Sequence, residues 1–184
     1  MSGVLTQAVL PTARVVGWGP GAAVAGLLVL SAWLAGATDR AADVVLVLAA
    51  AGLAATVVAG MQDPAAELLA AVPVSTMRRR LLRLVLLGVP ALAVWWLLGV
   101  LTTTVRTAGP GPLLALTACG VAAAVWAPPR HGALLGAVTP VVLVALHQMV
   151  PLDGTVSEVV GWWLTDPWWV LAAASLLCVA GRRR

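Results

Sequence analysis

The sequence has no phenylalanine and no tyrosine, and only 10% of its residues are charged. So little charge excludes a soluble domain of this length, which needs far more charged surface to stay dispersed. Lysine is absent as well: all 11 basic residues are arginine. The two cysteines, Cys119 and Cys178, lie inside apolar runs, with no CxxC pair and no Cys/His cluster beside them. That pattern excludes a disulfide framework and a cysteine-based metal centre, and leaves both thiols as small packing residues. There is no GxxxxGK[ST] stretch to cradle a nucleotide phosphate. No Ser/His/Asp or Cys/His set offers a nucleophile, and no apolar run carries the paired carboxylates of a proton-coupled carrier. The expectation is a chain without catalytic, cofactor-binding or metal-ligating residues, not an enzyme by itself.

What is present is oil. Over 184 residues, 61% are hydrophobic, and the mean hydropathy is +1.01. A bilayer core of roughly 30 Å takes about 20 apolar residues per helical crossing, so the chain has room for about six crossings and little else. The expected fold is all-α: one polytopic transmembrane domain over residues 1–184, with spans at about 15–35, 41–60, 81–103, 113–127, 132–150 and 167–181. Proline and glycine punctuate it, at Gly17 to Gly21, at Gly109 to Pro112 and at Pro128-Pro129, with Pro90 and Pro140 inside runs. The first run starts only after Pro11 and Arg14, so it reads as an uncleaved first helix and not as a signal peptide. Ala49, Ala50, Ala51, Gly52 and Ala55 mark the second run as one in close contact with its neighbours.

The arginines set the orientation. With the N-terminus inside, the inner side holds Arg14, Arg78, Arg79, Arg80, Arg83, Arg130 and Arg182 to Arg184, and the outer side only Arg40 and Arg106. The reverse orientation breaks the positive-inside rule. Arginines placed between apolar runs fit an anionic membrane face, not nucleic acid. Membrane lipid is thus the first expected partner, in the plasma membrane of a bacterium, with both termini cytoplasmic.

Two polar connections carry more pattern than a linker needs. In the inner one, Asp63 is a good N-cap with Pro64 at the first helical position, and Glu67 suits the positive end of the helix dipole. Ala65, Leu68, Leu69 and Val72 then form one apolar face, Pro73 stops the helix, and Ser75 or Thr76 can cap the next, which begins with Arg78, Arg79 and Arg80. This is a short amphipathic helix that can press on a cytoplasmic partner or lie among lipid headgroups. In the outer one, Thr155 and Glu158 have capping-box spacing, and Val156, Val159, Val160 and Trp163 follow one stripe. Asp166 and Pro167 then open the last helix, with Trp162, Trp163, Trp168 and Trp169 clustered at the break as at a membrane–water boundary.

The segment Asp63 to Leu82 resembles the loop after the second helix in ABC-2 type permeases, where an acidic, Leu-rich helix is followed by a Pro-hydroxyl turn and basic residues. The span count, cytoplasmic termini and loop position are also similar to that family. The resemblance implies a membrane-spanning subunit of an ATP-driven exporter moving a hydrophobic or amphipathic substrate. It further implies that Asp63, Glu67, Leu68, Leu69 and Pro73 meet a cytoplasmic ATP-binding subunit, while Arg78, Arg79 and Arg80 sit at the headgroups. ATP and Mg would then belong to that partner, and a second permease copy or a homologous permease would complete the path. It also implies that the outer helix, with Glu158, Trp162, Trp163, Trp168 and Trp169, caps that path. Two other classes stay open: a non-energised scaffold subunit, and a small secondary carrier or channel. For the last, only Asp43 and His147 offer polar groups, and His147 reads as a hydrogen-bonded structural histidine.

Overall fold

In the computed structural model, residues 18–35, 39–61, 76–102, 109–128, 130–149 and 155–181 are described. Among them the chain forms seven α-helices and no strand: α1 (Trp18–Ala35), α2 (Asp39–Gly60), α3 (Thr76–Thr102), α4 (Gly111–Trp126), α5 (Gly132–Met149), α6 (Thr155–Thr165) and α7 (Pro167–Gly181). Ala- and Leu-rich runs favour helix intrinsically, and each run stops where glycine, proline or a polar turn interrupts it. Three helices, α2, α3 and α5, are long and apolar enough to cross a membrane, while α1, α4 and α7 are apolar but shorter. Pro90 and Pro140 stand inside α3 and α5 without ending them.

Two helices organise the bundle. α2 touches α1, α3, α4 and α5, and α4 touches α2, α5, α6 and α7. α4 and α5 form an antiparallel hairpin, with Gly120 opposite Gly136 and Ala124 opposite Gly132. α4 and α7 run side by side in the same direction: Gly111 abuts Pro167 at their starts, and Val125 and Trp126 abut Gly181 at their ends.

The packing suits a lipid surrounding. The buried set is dominated by small residues, including Ala32, Ala49, Ala50, Ala54, Ala115 and Ala122, interleaved with Leu53, Leu98 and Leu116. The outside is the oilier part: Leu27, Trp33 and Leu34 on α1, Val85, Val89 and Val100 on α3, Val138 and Met149 on α5, and Trp169, Leu176 and Val179 on α7 are exposed. A water-facing surface this apolar would aggregate. In hydrocarbon, by contrast, association depends on close backbone approach, which small residues permit. Hydroxyls inside the apolar helices are satisfied locally, Thr102 Oγ1 donating to the Leu98 carbonyl at 2.9 Å and Thr117 Oγ1 to Leu113 at 2.7 Å.

Candidate functional site

α4, α5, α6 and α7 enclose an open apolar cleft of about 990 Å³. α4 contributes Cys119, Ala122, Ala123 and Trp126, α5 contributes Thr139 and Leu143, and α6 contributes Trp162. Asp166 stands at the junction of α6 and α7, and α7 adds Trp169, Val170, Ala173, Ala174 and Leu177. Small side chains on the facing surfaces of α4 and α7 leave the space, and indoles wall it. This is the usual composition of a ligand site: mostly apolar, with few polar groups.

Local hydrogen bonds hold both ends. At one end the Asp166 N–H donates to the Trp162 carbonyl at 2.8 Å, and the Asp166 carbonyl accepts from the Trp169 N–H at 3.1 Å. These main-chain bonds fix the α6–α7 junction from which Trp162, Asp166 and Trp169 line the cleft. At the other end, Trp126 Nε1 donates to the Leu177 carbonyl at 2.9 Å, tying α4 to α7. With its N–H so engaged, Trp126 offers the cleft its ring. The Thr139 hydroxyl is spent on the Leu135 carbonyl at 2.7 Å. Among the described residues, Asp166 is the only charged one lining the cleft, and it has no ion-pair partner there.

The outer helix forms where capping signals placed it, but its faces differ from the expected stripe. Trp163 is 2% exposed, whereas Val159 is 57% exposed. Gly161 is buried as well, and its missing side chain lets α6 come close to His147, whose Cε1 would lie 3.3 Å from an added Cβ. Trp163 therefore leaves the boundary cluster and packs edge-on against His147, ring centroids 5.7 Å apart at 80°. Trp162, Trp168 and Trp169 stay exposed, as does Glu158. His147 is not the hydrogen-bonded histidine expected: its Nδ1 and the Trp163 Nε1 are both buried without a partner among the described residues.

Of the inner connection, Asp63, Glu67, Leu68, Leu69 and Pro73 lie outside the described residues. Arg78, Arg79 and Arg80 fall within the first turns of α3, which begins at Thr76. Asp43 is exposed near the start of α2. One residue that sequence reasoning passed over is Arg83, counted there only as an inner-side charge: it is 6% exposed and makes a polar or electrostatic contact within the fold. Its signal in the sequence was position alone, one turn deeper into the apolar run than the arginine triplet. The cleft itself had no sequence signal, since its lining comes from four helices. Among the described residues no group of three His, Cys, Asp or Glu could hold a metal. Comparison with family models, with curated proteins and with solved structures gives no match.

Proposed function

We propose that this chain is the membrane-spanning permease subunit of an ATP-driven exporter of the ABC-2 type, carrying a hydrophobic or amphipathic substrate across a bacterial plasma membrane. A separate cytoplasmic subunit supplies ATP hydrolysis, and a second copy or a homologous permease faces this one across the path. The reading starts from the acidic, Leu-rich segment at Asp63 to Val72, its Pro73 break and the Arg78 to Arg80 triplet. Such an element transmits a partner's movement into α3.

The observation that carries it is the arrangement of helix directions. α4 and α7 run parallel and α5 runs against α4, so α6 occupies the end where α5 finishes and α7 starts. Arg130, which precedes α5, belongs to the opposite end, where α7 finishes at Gly181 and Arg182 to Arg184 follow in sequence. Basic residues at one end and a Trp-rich short helix at the other accord with six crossings, termini inside and α6 on the outer face. α4 and α7, with 16 and 15 residues, rise about 24 and 22 Å. They cross a core of roughly 30 Å by local thinning of the bilayer around them.

The test is reconstitution. The chain is co-expressed with an ATP-binding protein encoded beside it, purified through a tag on the permease and placed in liposomes. Retention of the ATPase and ATP-dependent movement of a fluorescent amphiphile are expected, with Glu67→Lys and Arg79→Glu reducing movement at least tenfold while leaving the permease folded. Flux without ATP would make it a carrier or channel; no retained ATPase and no flux would make it a scaffold.

A further inference from the structure

We infer that the cleft between α4, α5, α6 and α7 is a binding site for a single-chain amphiphile with a cationic head, a quaternary or protonated amine on a hydrocarbon tail. This rests on the cleft alone and not on the ATP-driven reading, because binding needs no second subunit.

Volume and shape come first. About 990 Å³ is at the upper end for small-molecule sites. The lining follows the chain from Asp166 along α7 to Leu177, eleven residue steps or about 17 Å of helix. Between these ends the surfaces are alanine, valine and leucine, with a cysteine on α4. Long and apolar, the space suits a hydrocarbon chain.

Charge then decides the head group. Among the described residues the sole charged one lining the cleft is Asp166, at one end, and no described arginine lines the cleft to balance it. Trp162 and Trp169 line the cleft together with it, from the α6–α7 junction that two backbone hydrogen bonds hold. Indole faces attract cations and hold quaternary ammonium groups well, and a carboxylate beside them adds direct attraction. An anionic head would meet that same carboxylate without a compensating donor, and a neutral hydrocarbon would gain nothing from it. The polar end and the apolar end of the cleft thus match the two ends of one molecule.

The experiment uses the purified full chain in nanodiscs of zwitterionic lipid, with radiolabelled dodecyltrimethylammonium in equilibrium dialysis and empty discs subtracted. Dodecyl sulfate is the probe of opposite charge. Saturable binding of the ammonium probe is expected, at least tenfold tighter than that of the sulfate. Asp166→Asn, which keeps the size and helix-capping ability of the side chain, lowers affinity about tenfold; Asp166→Glu retains it. Ala173→Trp, which fills the cleft, removes saturable binding. Equal binding of the two probes, or unchanged affinity in Asp166→Asn, overturns the cationic assignment; saturable binding that survives Ala173→Trp overturns the cleft as the site.

Discussion

Gly120 and Gly136 lie so close that a Cβ added to either would come within 2.7 Å of the other's carbonyl oxygen. Val58 of α2 closes the third side, its methyls 2.8 Å from both hypothetical Cβ positions. Three helices therefore meet at one point where hydrogen is the only side chain that fits. Gly120 with Ala124, and Gly132 with Gly136, have the four-residue spacing that stacks small residues on one helix face.

Gly136→Ala is expected to destabilise the bundle by about 1–3 kcal/mol, because the obstacle is backbone that cannot swing aside. Gly60→Ala should cost less, since the group in its way is the flexible Leu87 side chain. Gly88→Ala, with nothing within 4 Å, should be neutral or stabilising by up to about 1 kcal/mol through helix propensity. Thermal unfolding of the three variants in one detergent gives the order; Gly136→Ala as stable as Gly88→Ala would contradict the crossing.

Arg83→Ala is expected to cost about 3 kcal/mol, the scale of breaking a buried charged contact and leaving its partner group unmatched. Arg83 is 6% exposed, and a guanidinium is not left in an apolar bundle without compensation. Arg83→Lys should recover only part of the loss, because a single ammonium cannot reproduce the planar fork of donors. Stability measured against that of an exposed-site control, Arg130→Ala, checks this.

His147→Leu is expected to be tolerated, with stability unchanged or raised by up to about 1 kcal/mol. The buried Nδ1 has no partner among the described residues, so removing it relieves a desolvated polar atom while keeping apolar contact with Trp163. A loss above about 2 kcal/mol would show that the imidazole makes a polar contact that matters to the fold.

Cys119 lines the same cleft as Ala173. In a Cys178→Ser background, maleimide should modify Cys119, and adding Ala173→Trp should slow that reaction at least tenfold. An unchanged rate would mean that the two positions do not share the space described.

Much of this could be read along the chain. The breaks at Gly109 to Pro112, at Pro128-Pro129 and at Asp166-Pro167 bound helices in the structure, because proline and glycine act on the backbone where they stand. Thr155 to Thr165 formed for the same kind of local reason. Facing was less legible. Val159 and Trp163 share an apolar stripe in sequence, yet one is exposed and the other is buried against His147. Residues of the inner connection, Asp63 to Pro73, were the strongest motif in the sequence and lie outside the described structure, so their docking role rests on the functional proposal.

By itself, then, the sequence determined an all-helical chain with bilayer-length oily runs, their stops, and the uneven spread of arginine, since each follows from propensity and hydropathy within a single segment. Only the tertiary structure decided which small residues touch, that Arg83 is buried, that α4 and α7 run in parallel, and that Asp166 lines an apolar cleft. The reason is physical: helices apolar on every side carry no polar face to orient them. In a hydrocarbon-like surrounding the choice of neighbour falls to the shape of the packed surfaces, which exists only once the helices have come together.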